Sequence, residues 1–322
     1  MATKSDIGIF GCVNYKAYQS ENMKNWIVLI LMIVLANTMD GQNASSKVKM
    51  WNTVSELPRV LNESSGLIYL ENGNLLSHND SGGKAELYEF DPGSGDLARV
   101  IKVNGARNVD WEEIASDSTY IYLGDFGNNM GNRQHLLIYR ISKEEVDKKD
   151  DVTPDIIRFK YPDQTSFRSR NFHNFDCEAM IAVGEKIILF SKNRSDFRSD
   201  IYIIPSEPGE YIAEKKGTLD TEGLITAADI NAKGDKIALL GYTFLGGNQF
   251  KSILFLISDF EEMDLMSGQT KRIDLVMRKQ TEGLCFYDDT KVYFSEEEEN
   301  LNKGFLFQID LSNAYASIRE ND

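Results

Sequence analysis

The amino-acid sequence predicts an all-β fold: a β-propeller of five blades, each of four antiparallel strands, with the ring closed by the N-terminal strand. Three observations carry this prediction. A short phrase, built on an acid or Gln, one residue, then Glu or Ser, recurs five times. The copies are Glu63-Ser64-Ser65-Gly66-Leu67, Asp110-Trp111-Glu112-Glu113-Ile114, Asp176-Cys177-Glu178-Ala179-Met180, Asp220-Thr221-Glu222-Gly223-Leu224 and Gln280-Thr281-Glu282-Gly283-Leu284. Its third position falls at 65, 112, 178, 222 and 282, so the intervals are 47, 66, 44 and 60 residues, a spacing suited to propeller blades. Each copy also opens a series of short β-rich runs punctuated by turn residues, the pattern of a strand meander.

In the first repeat, runs 66–70, 75–78, 87–90 and 98–103 are separated by turns at Asn72-Gly73-Asn74 and Pro92-Gly93 and by a polar loop over 79–83. In the second repeat the strands are read at 114–115, 120–123, 136–141 and 156–161. The third blade takes its later strands from 187–190, 201–204 and 211–214, the fourth from 237–240, 253–257 and 270–275. The fifth repeat supplies only 284–287, 292–294 and 305–311, and the run 47–54 ahead of the first repeat is the spare strand that completes it. Closing the ring this way removes an open sheet edge. A six-bladed alternative requires a degenerate repeat inside the 66-residue interval; the surplus there reads as a long loop over 162–175.

The chain has 322 residues and a net charge of −15, with an isoelectric point near 4.8. One propeller domain over 45–322 accounts for the length. The acidic balance excludes a nucleic-acid partner, because such binding depends on Lys and Arg neutralising phosphates. Residues 23–44 have the layout of a secretory signal peptide, with an apolar core from Trp26 to Ala36, and 1–22 read as an upstream extension before a start at Met23. The alternative is a cytosolic tail before an anchor. The signal reading predicts a secreted or periplasmic monomer with no membrane contact beyond that segment. Cys177 and Cys285 are expected as separate core thiols, and Asn43, Asn62, Asn79 and Asn193 each begin an Asn-X-Ser sequon.

Antiparallel neighbours alternate direction, so the start of each inner strand and the loop after each second strand share one face. That face gathers Ser65, Glu112, Glu178, Glu222 and Glu282 around the channel mouth. Carboxylates converging on an axis repel one another and call for protonation, paired bases or a metal. An oxygen-only set favours Ca²⁺, with Mg²⁺ second. In the competing structural reading the acids accept backbone N–H bonds and pin neighbouring blades. An outer tier is read at Glu63, Asp110, Asp176 and Asp220. The second-strand loops add Asp80, Asp125, Lys192 and Arg194, and the run 296–299 adds four Glu. The 162–175 loop is expected to bring Arg168, Arg170 and His173 to the same face as ligand contacts; a solvated basic loop is the commoner outcome for such a segment. The triplet Asp125-Phe126-Gly127 lacks the companion motifs of a kinase and reads as a turn. No Gly-X-Ser-X-Gly, P-loop or His-Glu-X-X-His motif occurs.

Five segments, His78-Asn79-Asp80-Ser81-Gly82, Asp110-Trp111-Glu112-Glu113-Ile114-Ala115, Tyr122 to Asn129, Asp176-Cys177-Glu178-Ala179-Met180 and Ala228-Asp229-Ile230, resemble secreted bacterial β-propeller proteins of the SdiA-regulated and esterase-like phytase type. The resemblance spans most of the domain and implies the propeller fold without a defined activity. The Glu and Ser positions at the blade starts are also similar to the central calcium site of five-bladed calcium-activated nucleotidases, although the longer nucleotidase motifs are absent. The expected function is a secreted calcium-binding propeller that acts as a ligand-binding or interaction protein through its acidic mouth. The alternative is a calcium-dependent phosphoesterase using the same centre. The partner is a small molecule, a phosphoester or a protein.

Overall fold

The computed structural model describes residues 50–246, 249–277, 280–296 and 303–319. The leader expected over 1–44 and the acidic residues 297–299 lie outside the described residues.

Strand β1 (Trp51–Glu56) precedes the first blade, formed by β2 (Ser64–Tyr69), β3 (Leu75–Asn79), β4 (Glu86–Phe90) and β5 (Leu97–Val103). The second blade holds β6 (Trp111–Ser116), β7 (Tyr120–Asp125) and β8 (Leu136–Ser142); helix α1 (Lys143–Lys148) and β9 (Asp151–Val152) then lead to its fourth strand, β10 (Asp155–Lys160). The third consists of β11 (Cys177–Val183), β12 (Lys186–Ser191) and β13 (Ser199–Pro205), followed by β14 (Gly209–Ile212) and β15 (Glu214–Leu219). The fourth is β16 (Leu224–Ile230), β17 (Lys236–Gly246), β18 (Gln249–Ser258) and β19 (Gln269–Asp274). The last contains β20 (Thr281–Phe286), β21 (Lys291–Glu296) and β22 (Phe305–Asp310), with helix α2 (Ser312–Arg319) after it.

Five sheets result, and the fifth runs β1-β22-β21-β20, so the N-terminal strand completes the last blade as expected. Trp51 pairs with Ile309 and Glu56 with Phe305, and the Trp51 ring meets Phe307 edge-on at 5.0 Å. The 66-residue interval holds α1, β9 and a loop rather than a sixth blade. Two details differ from the sequence reading. The fourth strand of the third blade is β15, not the run 211–214. That run spans the end of β14 and the first residue of β15, and β14 leaves its own blade and pairs in parallel with β10 on the rim of the second. In the same way β9 pairs in parallel with β5 of the first blade. Both pieces cover rim edges that would otherwise expose unpaired backbone.

The inner strands are buried on both faces because each blade is sandwiched between two others, and side chains alternate between the two interfaces. Ile114 packs with Leu76 and Ile101 of the first blade, while its neighbour Ala115 packs with Met180 and Leu189 of the third. Each blade-to-blade interface has its own apolar cluster, the one between the first and last blades being built on Leu67, Phe90, Cys285 and Leu306. Cys177 and Cys285 are separate buried thiols, as expected.

A β-bulge interrupts every inner strand at the same level. The extra residue is Gly66, Glu112, Glu178, Thr226 or Glu282, lying between the paired positions on either side. A bulge leaves one residue out of the ladder and redirects its side chain, so these five positions, and not the five lettered ones, are the true structural equivalents.

Asp229, near the end of β16, ties the fourth blade to the fifth by accepting the Phe286 N–H at 2.7 Å. Burial pushes its carboxyl up to about 7, the N–H bonds from Phe286 and Ile230 opposing the shift. A carboxyl raised in the folded state contributes fully below its unfolded value and loses its contribution as pH rises through the folded one. Stability should therefore fall by about 2–3 kcal/mol between pH 4 and 7, allowing for solvent screening. Urea melts of the wild type and Asp229→Asn across that window test this: the variant should show the flatter profile, and parallel profiles would exclude Asp229 as the cause.

Candidate functional site

The channel mouth is built by the five bulges and the loops that follow the second strands. Glu112, Glu178 and Glu282 occupy three of the bulge positions and are buried there, while Gly66 and Thr226 fill the other two. Ser65 stands one residue before its bulge, and its Oγ donates to the Glu112 carbonyl at 2.6 Å. Thr226 Oγ1 donates to the Thr281 carbonyl at 2.6 Å. Both hydroxyls thus staple adjacent blades. Glu282 is approached by Gln280, whose Nε2 donates to Oε1 at 2.6 Å.

Glu222 is not a member of this ring. It has φ of +47°, its side chain is 69% exposed, and its carboxylate pairs with Arg272 Nη1 at 3.0 Å. The physical reason is register: Asp220-Thr221-Glu222 matches the phrase in letters, but β16 begins only at Leu224 and its bulge falls at Thr226. Thr221 is the buried member of that turn, its Oγ1 donating to the Gly223 and Phe197 carbonyls.

At the junction of the first two blades, carboxylate oxygens of Asp80, Asp110 and Glu112 all lie within 4.8 Å of one another. Asp80 follows β3, Asp110 precedes β6, and Glu112 is the bulge residue. Gly127 is wedged against them: a Cβ there would overlap both Glu112 Oε1 and Asp110 Oδ2, so the loop can close over the carboxylates only with glycine at this place. Asp80 raises the proton affinity of both Asp110 and Glu112, and Asp110 that of Glu112. Burial, then Glu178, Asp80, Asp110 and Asp176, pushes Glu112 well above the usual carboxylate range. Asp110 is pushed up to about 6 by burial and then by Asp80. Asp80 is raised by burial, with the Ser81 N–H and the Lys192 charge opposing. Three oxygen ligands with this shared repulsion have the donor chemistry of a hard-cation site.

Beside this triad lies a self-compensated set. Arg194 Nε donates to Asp176 Oδ2 at 2.7 Å, and its Nη2 reaches Glu178 Oε1 at 3.3 Å and Asn129 Oδ1. Lys192 Nζ bonds Glu178 Oε2 and sits 5.2 Å from the centre of the Tyr242 ring. Burial opposes the Lys192 charge, but Glu178, Tyr242 and Glu282 outweigh it and hold the ammonium charged. Burial pushes Glu178 well above the usual carboxylate range, with Lys192 and Arg194 opposing, so each carboxylate of this half has a base beside it, in contrast to the triad.

Asp125 is buried and turned toward the backbone, accepting the Asp110 N–H at 3.2 Å and pairing with Arg133 Nη2 at 2.7 Å. His173 is buried in the 162–175 loop. Its Nδ1 accepts the Phe175 N–H at 3.1 Å, which leaves Nε2 to donate to the Asn129 carbonyl at 3.1 Å. Both ring nitrogens are therefore committed to holding the loop. Arg168 and Arg170 are exposed on that loop, and Arg170 contacts the Met130 carbonyl only through its backbone N–H, at 3.0 Å. The structure thus brings Asp80, Glu112, Glu178, Lys192 and Arg194 together, and leaves Glu222, Arg168 and Arg170 outside.

Two contributions were missed. Asp110 and Asp176 belong to the centre and not to an outer tier, because each side chain turns inward beside the bulge. Glu113 is fully buried on the inner strand, its Oε2 accepting the Ala228 N–H of the fourth blade at 2.8 Å and Oε1 the Ile114 N–H at 3.0 Å. It also meets the first blade, where a Cβ on Gly66 would stand 2.8 Å from Oε1. This carboxyl therefore ties the second blade to the fourth and packs against the first, and burial pushes it well above its ordinary range. The doubled Glu112-Glu113 was the only sequence signal for it.

No family model and no curated protein matches the chain. Among solved structures, it is similar to the PQQ-bound aldose sugar dehydrogenase from Streptomyces coelicolor, at 10% identity and a TM-score of 0.44, covering 80% of this chain and 97% of that one. It is also similar to an α-L-arabinofuranosidase from Fusarium graminearum, at 7% identity and a TM-score of 0.47, covering 83% and 99%. A third similarity is to Kuenenia stuttgartiensis hydrazine synthase, at 11% identity and a TM-score of 0.45, covering 80% of each chain. At these scores the likeness carries no argument about chemistry.

Proposed function

We propose that this chain is a secreted, calcium-binding β-propeller, of the SdiA-regulated and esterase-like phytase type, that takes a ligand through its acidic channel mouth. The observation that carries the reading is the convergence of Asp80, Asp110 and Glu112 oxygens within 4.8 Å, next to a set whose bases are already used by Asp176 and Glu178. The five-membered ring of Ser65, Glu112, Glu178, Glu222 and Glu282 is not assembled as one set, since Glu222 lies outside it, exposed and paired with Arg272. The triad fits an ion. Asp80, Asp110 and Glu112 would hold Ca²⁺, which would supply charge neutralisation and a Lewis-acidic centre for an oxygen-bearing ligand. Secretion is supported by the signal-peptide layout of 23–44; no described helix is long and apolar enough to cross a membrane.

The test is a calcium titration of the melting temperature. At a calcium concentration a hundred times Kd, binding to the folded state alone adds about 2.7 kcal/mol. Asp110→Asn should abolish most of that gain, and Mg²⁺ should give less than Ca²⁺. An unchanged melting temperature at millimolar calcium would remove the ion from this centre. A parallel screen of phosphoesters decides the reaction: turnover that is lost in Glu112→Gln would make the centre a phosphoesterase, and its absence leaves a binding protein.

A further inference from the structure

Next to the compensated set, the loops of the second, third and fourth blades enclose a cleft of about 400 Å³. Its walls include Met130, Phe172, Phe197, Leu224 and Phe244, and Arg194 is the charged side chain among its lining residues. Phe172 is 76% exposed, and Phe197 and Phe244 are exposed as well, their rings meeting edge-on at 6.1 Å. Water-facing aromatic side chains gathered about one concave site mark a candidate ligand site.

Phe197 adds an independent observation. It has φ of +59°, a left-handed conformation that is a genuine outlier for a bulky side chain and that glycine would adopt without strain. Three hydrogen bonds hold it there: its N–H donates to the Asn193 carbonyl at 3.0 Å, and its carbonyl accepts from Gly223 N at 2.9 Å and Thr221 Oγ1 at 3.2 Å. The turn keeps an aromatic ring where the backbone favours none, and the ring points at Phe244. Strain retained at a concave site motivates a functional reading.

The geometry points to this cleft as the seat of an anionic ligand with an aromatic or other apolar ring body, the rings of Phe172, Phe197 and Phe244 taking the body and Arg194 the acidic head. Nε and Nη2 of Arg194 are bonded to Asp176, Glu178 and Asn129, which fixes the guanidinium, whereas Nη1 has no hydrogen bond among the described residues. Asp176 and Glu178 are both paired with Lys192 or Arg194, so the carboxylates bonded to the guanidinium are compensated where an incoming carboxylate, sulfonate or phosphate would arrive. A guanidinium held flat by its other bonds is well suited to such an oxyanion. The inference rests on the proposed ligand-binding role of the mouth, but not on the presence of an ion in the triad.

Fluorescence titration of the intact chain with 8-anilinonaphthalene-1-sulfonate tests it, alongside N-phenyl-1-naphthylamine, which keeps the rings and lacks the acid. One saturable site is expected for the sulfonate, with the neutral amine bound about tenfold more weakly. The double variant Phe172→Ser, Phe244→Ser, altered only at exposed positions and so expected to fold, should weaken sulfonate binding by at least about tenfold. Unsaturable binding, equal affinity for the two probes, or unchanged binding by the double variant would each overturn the assignment. The calcium shift in melting temperature is read in the same samples, so failure of the ion site and failure of the cleft appear in different signals.

Discussion

Replacing Lys192 with Met is expected to lower the unfolding free energy by about 3–5 kcal/mol, the loss that follows when one partner of a buried ion pair is left behind. The Lys192 and Glu178 side chains are each about 4% exposed and bonded to each other, so removing the ammonium strands Glu178 beside Asp176 and Glu282, with Arg194 as its remaining base among the described residues. The double variant Lys192→Met, Glu178→Gln should recover a large part of that loss, because an amide can stay buried uncharged. Urea melts of the wild type, the two single variants and the double variant form a thermodynamic cycle. A coupling below about 1 kcal/mol would mean that the pair behaves as a solvated one, and the picture of a dry, compensated half of the mouth would fail.

Trp111→Ala is expected to cost a similar amount, about 3–5 kcal/mol. Trp111 is fully buried, with its ring 5.8 Å from His78 and 6.0 Å from Tyr139 between centroids, and its Nε1–H donates to the Arg107 carbonyl at 3.2 Å. Burial pushes His78 down to about 4, so the imidazole packed on the indole is neutral at ordinary pH. Trp111 also separates Asp110 from Glu112 in the chain, so a collapse of its cavity should displace both carboxylates. The calcium shift in melting temperature should therefore shrink along with stability. Trp111→Phe, which keeps the ring packing and loses the N–H, should retain most of both. If Trp111→Ala lowered stability and left the calcium response intact, the indole would be a core residue only.

The sequence carried the ring, the blade count and the closing strand because each rests on local letters: the repeat phrase, the β-rich runs and a spare strand at 47–54. It misplaced one blade start because register is set by pairing and not by letters. Asp220-Thr221-Glu222 copies the phrase, yet the ladder between β16 and β17 puts the bulge at Thr226. The run 211–214 was legible as a strand, but nothing in those residues says that β14 pairs across to β10 of another blade. At the mouth, residue types and strand direction pointed to one face, where Asp80, Glu112, Glu178, Lys192 and Arg194 do meet, while Glu222, Arg168 and Arg170 fall outside. Which acid meets which base depends on side-chain reach: Lys192 and Arg194 fall on Glu178 and Asp176, and that leaves Asp80, Asp110 and Glu112 to face one another. The commitment of both His173 nitrogens to backbone groups could not be read from the sequence, since it requires the positions of Asn129 and Phe175.

The joint between β1 and β22 governs how the molecule can be assembled. Trp51 meets Ile309, a separation of 258 residues, whereas the antiparallel neighbours β2 and β3, or β20 and β21, lie within one hairpin. Blades can form as their own strands become available, since each hairpin closes a short loop, but the circle cannot be sealed until its last strand exists to receive its first. Contacts of such long range are made slowly, because their loop entropy is lost before the pairing is gained. Until β1 docks on it, β22 presents an unpaired edge and Phe307 lacks its Trp51 cover. The time during which the chain is open is thus set by its last segment, and a chain ending before residue 305 would have blades but no ring.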